Sequence, residues 1–342
     1  MEKKKVLKYK PLLPFEQPSN VRISTISAIA SLEASVDQQQ MYDTLPLIDK
    51  EDPTAVGVFE LKHYEKNPET GVIVQKHRWG TSGADVEVLK IVKQYFQNQL
   101  TIVWRFLSET GEIKITNGFI FRTGNVKAVG LKSDVDVHRC YESLRQYLQI
   151  HADKIGLKTT NDQLQLVNPR PTMFNTDFVA RNKLLRERMF RLIIEEYKLE
   201  DSEFEIDIYP AVKIKFAWNE EYMHGPMAAQ YTPGVCYCSN KCNGKGRGNG
   251  NGDCKIVTIC VFGNDTKANK KPGKIIITGA NQFRQVKDVH QFMCELLKTH
   301  HETLFYHEPY METIMVPKKE DSDKKPSFEN TSNAKQSVPH TV

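Results

Sequence analysis

Hydrophobic positions recur along this chain in two rhythms. Alternation of apolar and polar residues over 56–62, 117–121 and 209–215 predicts strands, as do extended apolar segments at 23–32 and 173–181. Steps of three and four predict amphipathic helices. Val137, Cys140, Leu144 and Leu148 form one core-facing stripe, and Val286, Val289, Met293 and Leu297 form another. Further helical runs are expected over 35–44, 84–97 and 183–197.

The two stripes belong to a longer correspondence. From Gly124 and Gly273 onward the chain aligns with itself without a gap at an offset of 149 residues, through Gly130 and Gly279 to Leu148 and Leu297. Phe119-Ile120-Phe121 precedes the first copy and Cys260-Val261-Phe262 the second. Upstream, 56–62 matches 209–215. Each half therefore reads as strand, helix, several strands, helix, so the same module is expected twice. The halves differ in their insertions. The first carries an extra segment at about 64–100; the second carries a Cys- and Gly-rich stretch at 231–254 and a longer turn between Phe262 and Gly273. Such additions at turns are tolerated because loop closure grows slowly with length.

Composition narrows the class without naming a function. At 342 residues the chain has room for about two domains. Lys and Arg outnumber Asp and Glu by 47 to 42, a mild excess that allows a nucleic-acid partner without demanding one. No apolar run approaches the ~20 residues of a membrane span. The lysine-rich start lacks the apolar centre of a secretory signal. An intracellular protein is therefore expected, and its seven cysteines are expected as thiols because reducing compartments disfavour disulfides. The expected organisation is a basic flexible tail at 1–19, a first repeat at 20–151, a linker at 152–171, a second repeat at 172–300 and an extension at 301–342. That extension is too polar from about 317 to order itself.

The repeated arrangement has a familiar counterpart. A strand ending in Ile120-Phe121, a turn with Gly124, an apolar strand and an amphipathic helix, matched by Phe262, Gly273 and Thr278-Gly279-Ala280 before the second helix, resembles the TATA-box-binding protein family. It is most similar to the divergent members encoded by large nucleocytoplasmic DNA viruses. Asn175-Thr176-Asp177-Phe178, Tyr209-Pro210 and the Cys loop before Lys255-Ile256-Val257-Thr258 carry that likeness, which spans roughly residues 20–300. The resemblance implies an α+β saddle: two pseudo-symmetric repeats forming one curved antiparallel sheet, with helices on the convex face. It implies a non-enzymatic transcription initiation factor that binds double-stranded, A·T-rich promoter DNA in the minor groove. Its further partners would be a factor IIB-like protein and RNA polymerase, with no membrane involved. The setting would be a cytoplasmic virus factory or virion if viral, and otherwise the nucleus.

Carried over residue by residue, the resemblance places Phe121 and Phe262 at the wedges that kink DNA. Tyr209 stands at a second wedge of repeat two, and Val56, too small to wedge, stands at its counterpart. Ile276 and Thr278 match the groove floor, with Lys127 and Val129 as their partners in repeat one. Phe119 and Asn117 share a strand face with Phe121; Thr258 and Cys260 share one with Phe262. Asn175 lies near a polar groove contact. From the residues alone, both phenylalanines equally suit a buried strand face, Tyr209 suits a turn, and Lys127 suits either solvent or a phosphate.

Cys236, Cys238, Cys242 and Cys254 supply four soft ligands, enough for a structural zinc ion. The alternative is a mobile basic loop with reduced thiols, because the intervening glycine-rich run has no side chain able to make a core. His224 is a substitute ligand on this reading. Lys245 and Arg247 read as phosphate contacts or as linker residues. The carboxylate pairs Glu195-Glu196 and Glu220-Glu221 are sequence neighbours that share no face, so no catalytic constellation emerges. Two rival readings stay open: a protein-binding scaffold on the same fold, and an accessory domain of a nucleic-acid enzyme.

Overall fold

β-Branched and aromatic residues at alternating positions suit a pleated surface covered on one side. Among the described residues, most of the apolar segments meet in one antiparallel sheet of eleven strands. The computed structural model describes residues 2–93, 98–159, 163–205, 207–240, 242–263, 272–307 and 309–316. From the start the chain runs β1 (Glu2–Tyr9), β2 (Arg22–Ser31), β3 (Ala34–Val36), α1 (Gln38–Thr44), β4 (Gly57–Lys66), β5 (Ile73–Trp79) and β6 (Val86–Val92). It continues through β7 (Gln99–Leu107), β8 (Ile113–Phe121), β9 (Asn125–Leu131), α2 (Asp134–Ile150), β10 (Leu157–Thr159) and β11 (Val167–Val179). It ends with α3 (Arg186–Glu195), β12 (Ala211–Trp218), α4 (Glu220–His224), β13 (Lys255–Phe262), β14 (Lys274–Ala280), α5 (Phe283–Thr299), α6 (His301–Leu304) and β15 (Pro309–Val316).

Two units follow from these contacts. The smaller contains β1 and β15, paired antiparallel along their whole length from Glu2↔Val316 to Tyr9↔Pro309. The larger, Leu13–Tyr306, holds the sheet, whose strands lie in the order β12-β13-β14-β11-β2-β9-β8-β7-β4-β5-β6. Strands β11 and β2 pair antiparallel at a central seam. Moving away from it, β14, β13 and β12 follow on one side and β9, β8 and β7 on the other. Elements at the 149-residue spacing have equal lengths: β9 and β14 have seven residues each, α2 and α5 seventeen each.

The predicted helical stripes form the core. Val137, Cys140, Leu144 and Leu148 of α2, and Val286, Val289, Met293 and Leu297 of α5, are all buried. Burying each such side chain favours folding by about 2 kcal/mol. Both helices start at defined caps. Ser133 accepts the Asp136 N–H on α2, while Gln282 and Gln285 form a reciprocal pair on α5. Among the described residues no helix is long and apolar enough to cross a membrane.

Several local readings yield to pairing. The expected helix at 84–97 is instead β6, hydrogen-bonded to β5 from Val86↔Trp79 to Ile73↔Val92. Its β-branched residues suit a strand; positions 94–97 lie outside the described residues. The helix expected over 35–44 begins only at Gln38, because Ala34–Val36 pairs as β3 with β10, inside the expected linker. The lysine-rich start, expected as a flexible tail, contributes β1. The polar stretch 317–342 and the turn at 264–271 lie outside the described residues.

The two-halves alignment also changes partner. Sequence pairs 56–62 with 209–215, which would make β4 the counterpart of β12. Yet β12 lies beside β13, with Ala211↔Phe262, and the strand beside β8 is β7, with Gln99↔Phe121. Strand β4 sits one place further out. Val56 is therefore not the positional counterpart of Tyr209; that place, two residues before Gln99, falls at position 97, outside the described residues. Alternation alone could not decide between two equally apolar strands.

Candidate nucleic-acid interface and metal centre

Strand alternation sorts the sheet into two faces. One packs against helices. Thr116, Gly118 and Ile120 of β8 and Val257, Ile259 and Val261 of β13 are buried on it. Trp104 of β7 donates its indole N–H to the Cys140 carbonyl of α2 at 3.2 Å. The Tyr141 hydroxyl donates to Val126 O and accepts from Ala128 N. On the other side of the seam, Trp218 donates to Asp288 Oδ2 of α5 at 2.8 Å, and Phe178 meets His290 edge-on.

The alternate residues form the second face, where burial is mostly partial. Ile115 is 56% exposed, while Ile259 on the helix-covered face is wholly buried. Asn117, Phe119 and Phe121 lie on this second face of β8. Lys127 and Val129 stand opposite in register, through Phe119↔Lys127 and Asn117↔Val129. Thr258, Cys260 and Phe262 occupy the same face of β13, with Thr258↔Thr278 and Cys260↔Ile276 pairing across to β14. The Thr278 hydroxyl bonds Asn175 Oδ1, which draws the polar candidate of β11 into the same row. Eleven of the thirteen sequence-predicted residues thus share one face; Tyr209 and Val56 lie outside the strands, just before β12 and β4.

Tyr209 still reaches the group. Its ring meets Phe262 edge-on at 5.8 Å between centroids, and Lys213 Nζ lies 4.9 Å from the ring centre. Burial raises the Tyr209 hydroxyl above its ordinary pKa, with Cys260 adding to the effect. Burial likewise raises the Cys260 thiol, against opposing contributions from Tyr209 and two lysines of β12, Lys213 and Lys215. Those lysines share the second face and were missed in sequence; their alternation with Val212 and Ile214 was the available signal. Val56 is exposed. Phe121 borders a 440 Å³ cleft shared with Ile29, Asn98, Arg122, Thr123 and Asn125.

The cysteine loop brings its four sulfurs together. Cys236, Cys238, Cys242 and Cys254 lie with Sγ atoms within 4.8 Å of one another. The Cys238–Cys254 separation is 3.3 Å and Cys254–Cys236 3.6 Å. Metal–sulfur bonds of about 2.3 Å set tetrahedral ligands ~3.8 Å apart, so this set could hold a metal ion. Burial opposes ionisation of Cys238, but hydrogen bonding by the Gly252 backbone, Cys254, Tyr222 and Cys236 outweighs it and brings the thiol to about 7. Asn219 Nδ2 donates to Cys254 Sγ at 3.5 Å. His224 is not part of the cluster, which contains the four cysteines alone among the described residues; its Nε2 lies 2.8 Å from Asp288 of α5.

The glycine-rich run is held by polar contacts that sequence did not reveal. Asp253 accepts backbone N–H groups from Arg247 and Asn249, and Asn219 Nδ2 donates to Gly250 O at 2.7 Å. Gly248 has φ +87°, and a Cβ there would fall 2.3 Å from the Trp218 ring. Only glycine combines that backbone with that approach. Lys245 and Arg247 stay exposed on the loop. No family model matches the chain, and no curated protein matches it.

Proposed function

We propose that this chain is a non-enzymatic, DNA-binding transcription initiation factor of the TATA-box-binding protein kind. On this reading the sheet is a saddle of two related halves, and its second face takes A·T-rich duplex DNA through the minor groove. One observation carries the reading: the strand order mirrors itself for four strands on each side of the β11–β2 seam, with Phe121 and Phe262 at matching strand ends on the same face. Helices on one face leave the other for a broad ligand. Aromatic wedges that unstack base steps offset a few kcal/mol by letting bent DNA contact more protein. The minor groove shows mainly an A·T-versus-G·C distinction, so a floor of Val129, Ile276 and Thr278, with little room for the guanine amine, favours A·T.

The helices and loops would present surfaces to a factor IIB-like protein and RNA polymerase. In the cysteine loop the ion would be zinc, held by Cys236, Cys238, Cys242 and Cys254 as a closed structural site. It would tie the loop ends to one point and supply no chemistry to a reaction.

Gel shifts of A·T-rich and G·C-rich duplexes across salt concentrations test the DNA reading. The A·T-rich duplex should bind more tightly, with affinity falling steeply as salt rises. Phe121→Ala with Phe262→Ala should abolish bending. Binding of neither duplex at low salt would instead favour the protein-scaffold reading.

A further inference from the structure

The sheet is lopsided about its seam. Four strands lie on the β11 side and seven on the β2 side, the surplus being β4, β5 and β6. Continuous registers carry the second face across this surplus. One transverse row runs Lys127, Phe119, Thr101, Lys62, His77 and Val88. The next runs Val129, Asn117, Val103, Glu60, Trp79 and Val86. The β5–β6 hairpin therefore extends the same surface that carries Phe119 and Asn117.

Charge on the hairpin is divided between the faces. Toward the helices, Glu65 pairs with Lys76 at 2.8 Å, and Glu87 accepts the Tyr42 hydroxyl of α1 at 2.8 Å. On the second face of β4–β6 the one carboxylate among the described residues, Glu60, is surrounded by Lys50 at 3.4 Å, Lys62 at 2.8 Å and His77 at 3.1 Å. Lys90, three strands out from β7, is exposed on that face as well. Trp79 stands beside them, with Lys50 Nζ 5.6 Å from its ring centre and the His77 ring, which burial keeps neutral by lowering its pKa, 4.9 Å away. A cationic surface carrying a flat aromatic ring suits a sugar–phosphate backbone.

We infer that β4–β6 form a one-sided extension of the duplex-binding face, with Lys62 and Lys90 contacting phosphates and Trp79 packing against the backbone. The inference rests on the DNA-binding reading above. Three strands at ~4.8 Å spacing add about 14 Å of surface, roughly four base pairs at 3.4 Å each. The footprint on DNA is accordingly asymmetric, longer on the β6 side.

Hydroxyl-radical footprinting and salt titration of the full chain on a 30-base-pair duplex with a central A·T-rich site provide the test. The intact protein should protect about four more base pairs on one side of the site than on the other. Lys62→Gln with Lys90→Gln should shorten that side and reduce the slope of log affinity against log salt by about two. Trp79→Phe should retain the long footprint, and its melting temperature serves as the check on folding. A symmetric footprint, or an unchanged slope in the double variant, overturns the extension while leaving the DNA reading intact. Failure of the intact chain to bind any duplex overturns both. Loss of bending in the Phe121→Ala/Phe262→Ala variant, together with a shortened footprint in the lysine variant, supports both.

Discussion

Arg22 of β2 places Nη2 3.0 Å from both carboxylate oxygens of Asp177 on β11, and so ties together the two strands that meet at the seam. Burial by itself would raise the Asp177 carboxyl. Hydrogen bonds from Ser24 and Arg22, with Lys274 nearby, hold it below the ordinary carboxylate range instead. A depressed folded-state pKa stabilises the protein above the unfolded value of about 4, and this contribution disappears as pH falls through the folded value. Asp177→Asn should therefore lower the melting temperature by a few degrees at pH 7, about 1 kcal/mol given the exposure of Arg22. The gap should narrow as pH falls below the unfolded value of about 4 and through the folded one. Melting curves at pH 3 and 7 check this; an equal gap at both would refute it.

Gly118 is needed for space. A Cβ at this position would fall 2.4 Å from the Lys127 carbonyl oxygen and 2.7 Å from Cζ3 of Trp104, a wholly buried ring under α2. Gly118→Ala should destabilise the protein by about 1–3 kcal/mol through overpacking. Chemical denaturation measures it. Gly83→Ala, with nothing within 4 Å of the added Cβ, should change little by comparison.

The loop at 231–254 should depend on its sulfurs and on Gly248 together. Purified protein should carry close to one zinc per chain, and Cys236→Ser or Cys254→Ser should remove it. Chelation should open Lys245 and Arg247 to trypsin while the sheet resists. Sub-stoichiometric zinc that neither substitution alters would sink the metal assignment.

Gly248→Ala should reproduce the protease sensitivity without touching a sulfur. It forces strain at φ +87° and a clash with the Trp218 ring. Gly252→Ala, at φ +80° but with its nearest neighbour 3.5 Å away, should give a weaker effect. Limited proteolysis in the presence of zinc separates the two; equal cleavage of both variants would deny the ring contact its role.

Strand β6 is the sheet's outer edge, and on its helix side Leu89 and Ile91 are 61% and 73% exposed. Exposed apolar edges favour association between chains. Leu89→Lys with Ile91→Lys should leave the melting temperature within about 1 °C, since surface changes shift stability by under ~0.5 kcal/mol. It should also reduce concentration-dependent self-association by light scattering. Undiminished association would move its origin elsewhere.

Local periodicity determined much of this protein. The 149-residue spacing located β9 with β14 and α2 with α5, because a repeat of three or four and a repeat of two are both written in side chains close in sequence. Alternation placed Phe121, Phe119 and Asn117, and Phe262, Cys260 and Thr258, on common strand faces, and closeness in sequence grouped the four cysteines. Tertiary structure decided what depends on partners far along the chain. It made β7 and not β4 the neighbour of β8, turned 86–92 into a strand through pairing with β5, and matched the first residues with 309–316. It also engaged His224 with Asp288 and ordered the glycine run through Asp253 and Asn219. These outcomes rest on hydrogen bonds and packing between segments that local pattern treats as equivalent, and only the assembled sheet distinguishes them.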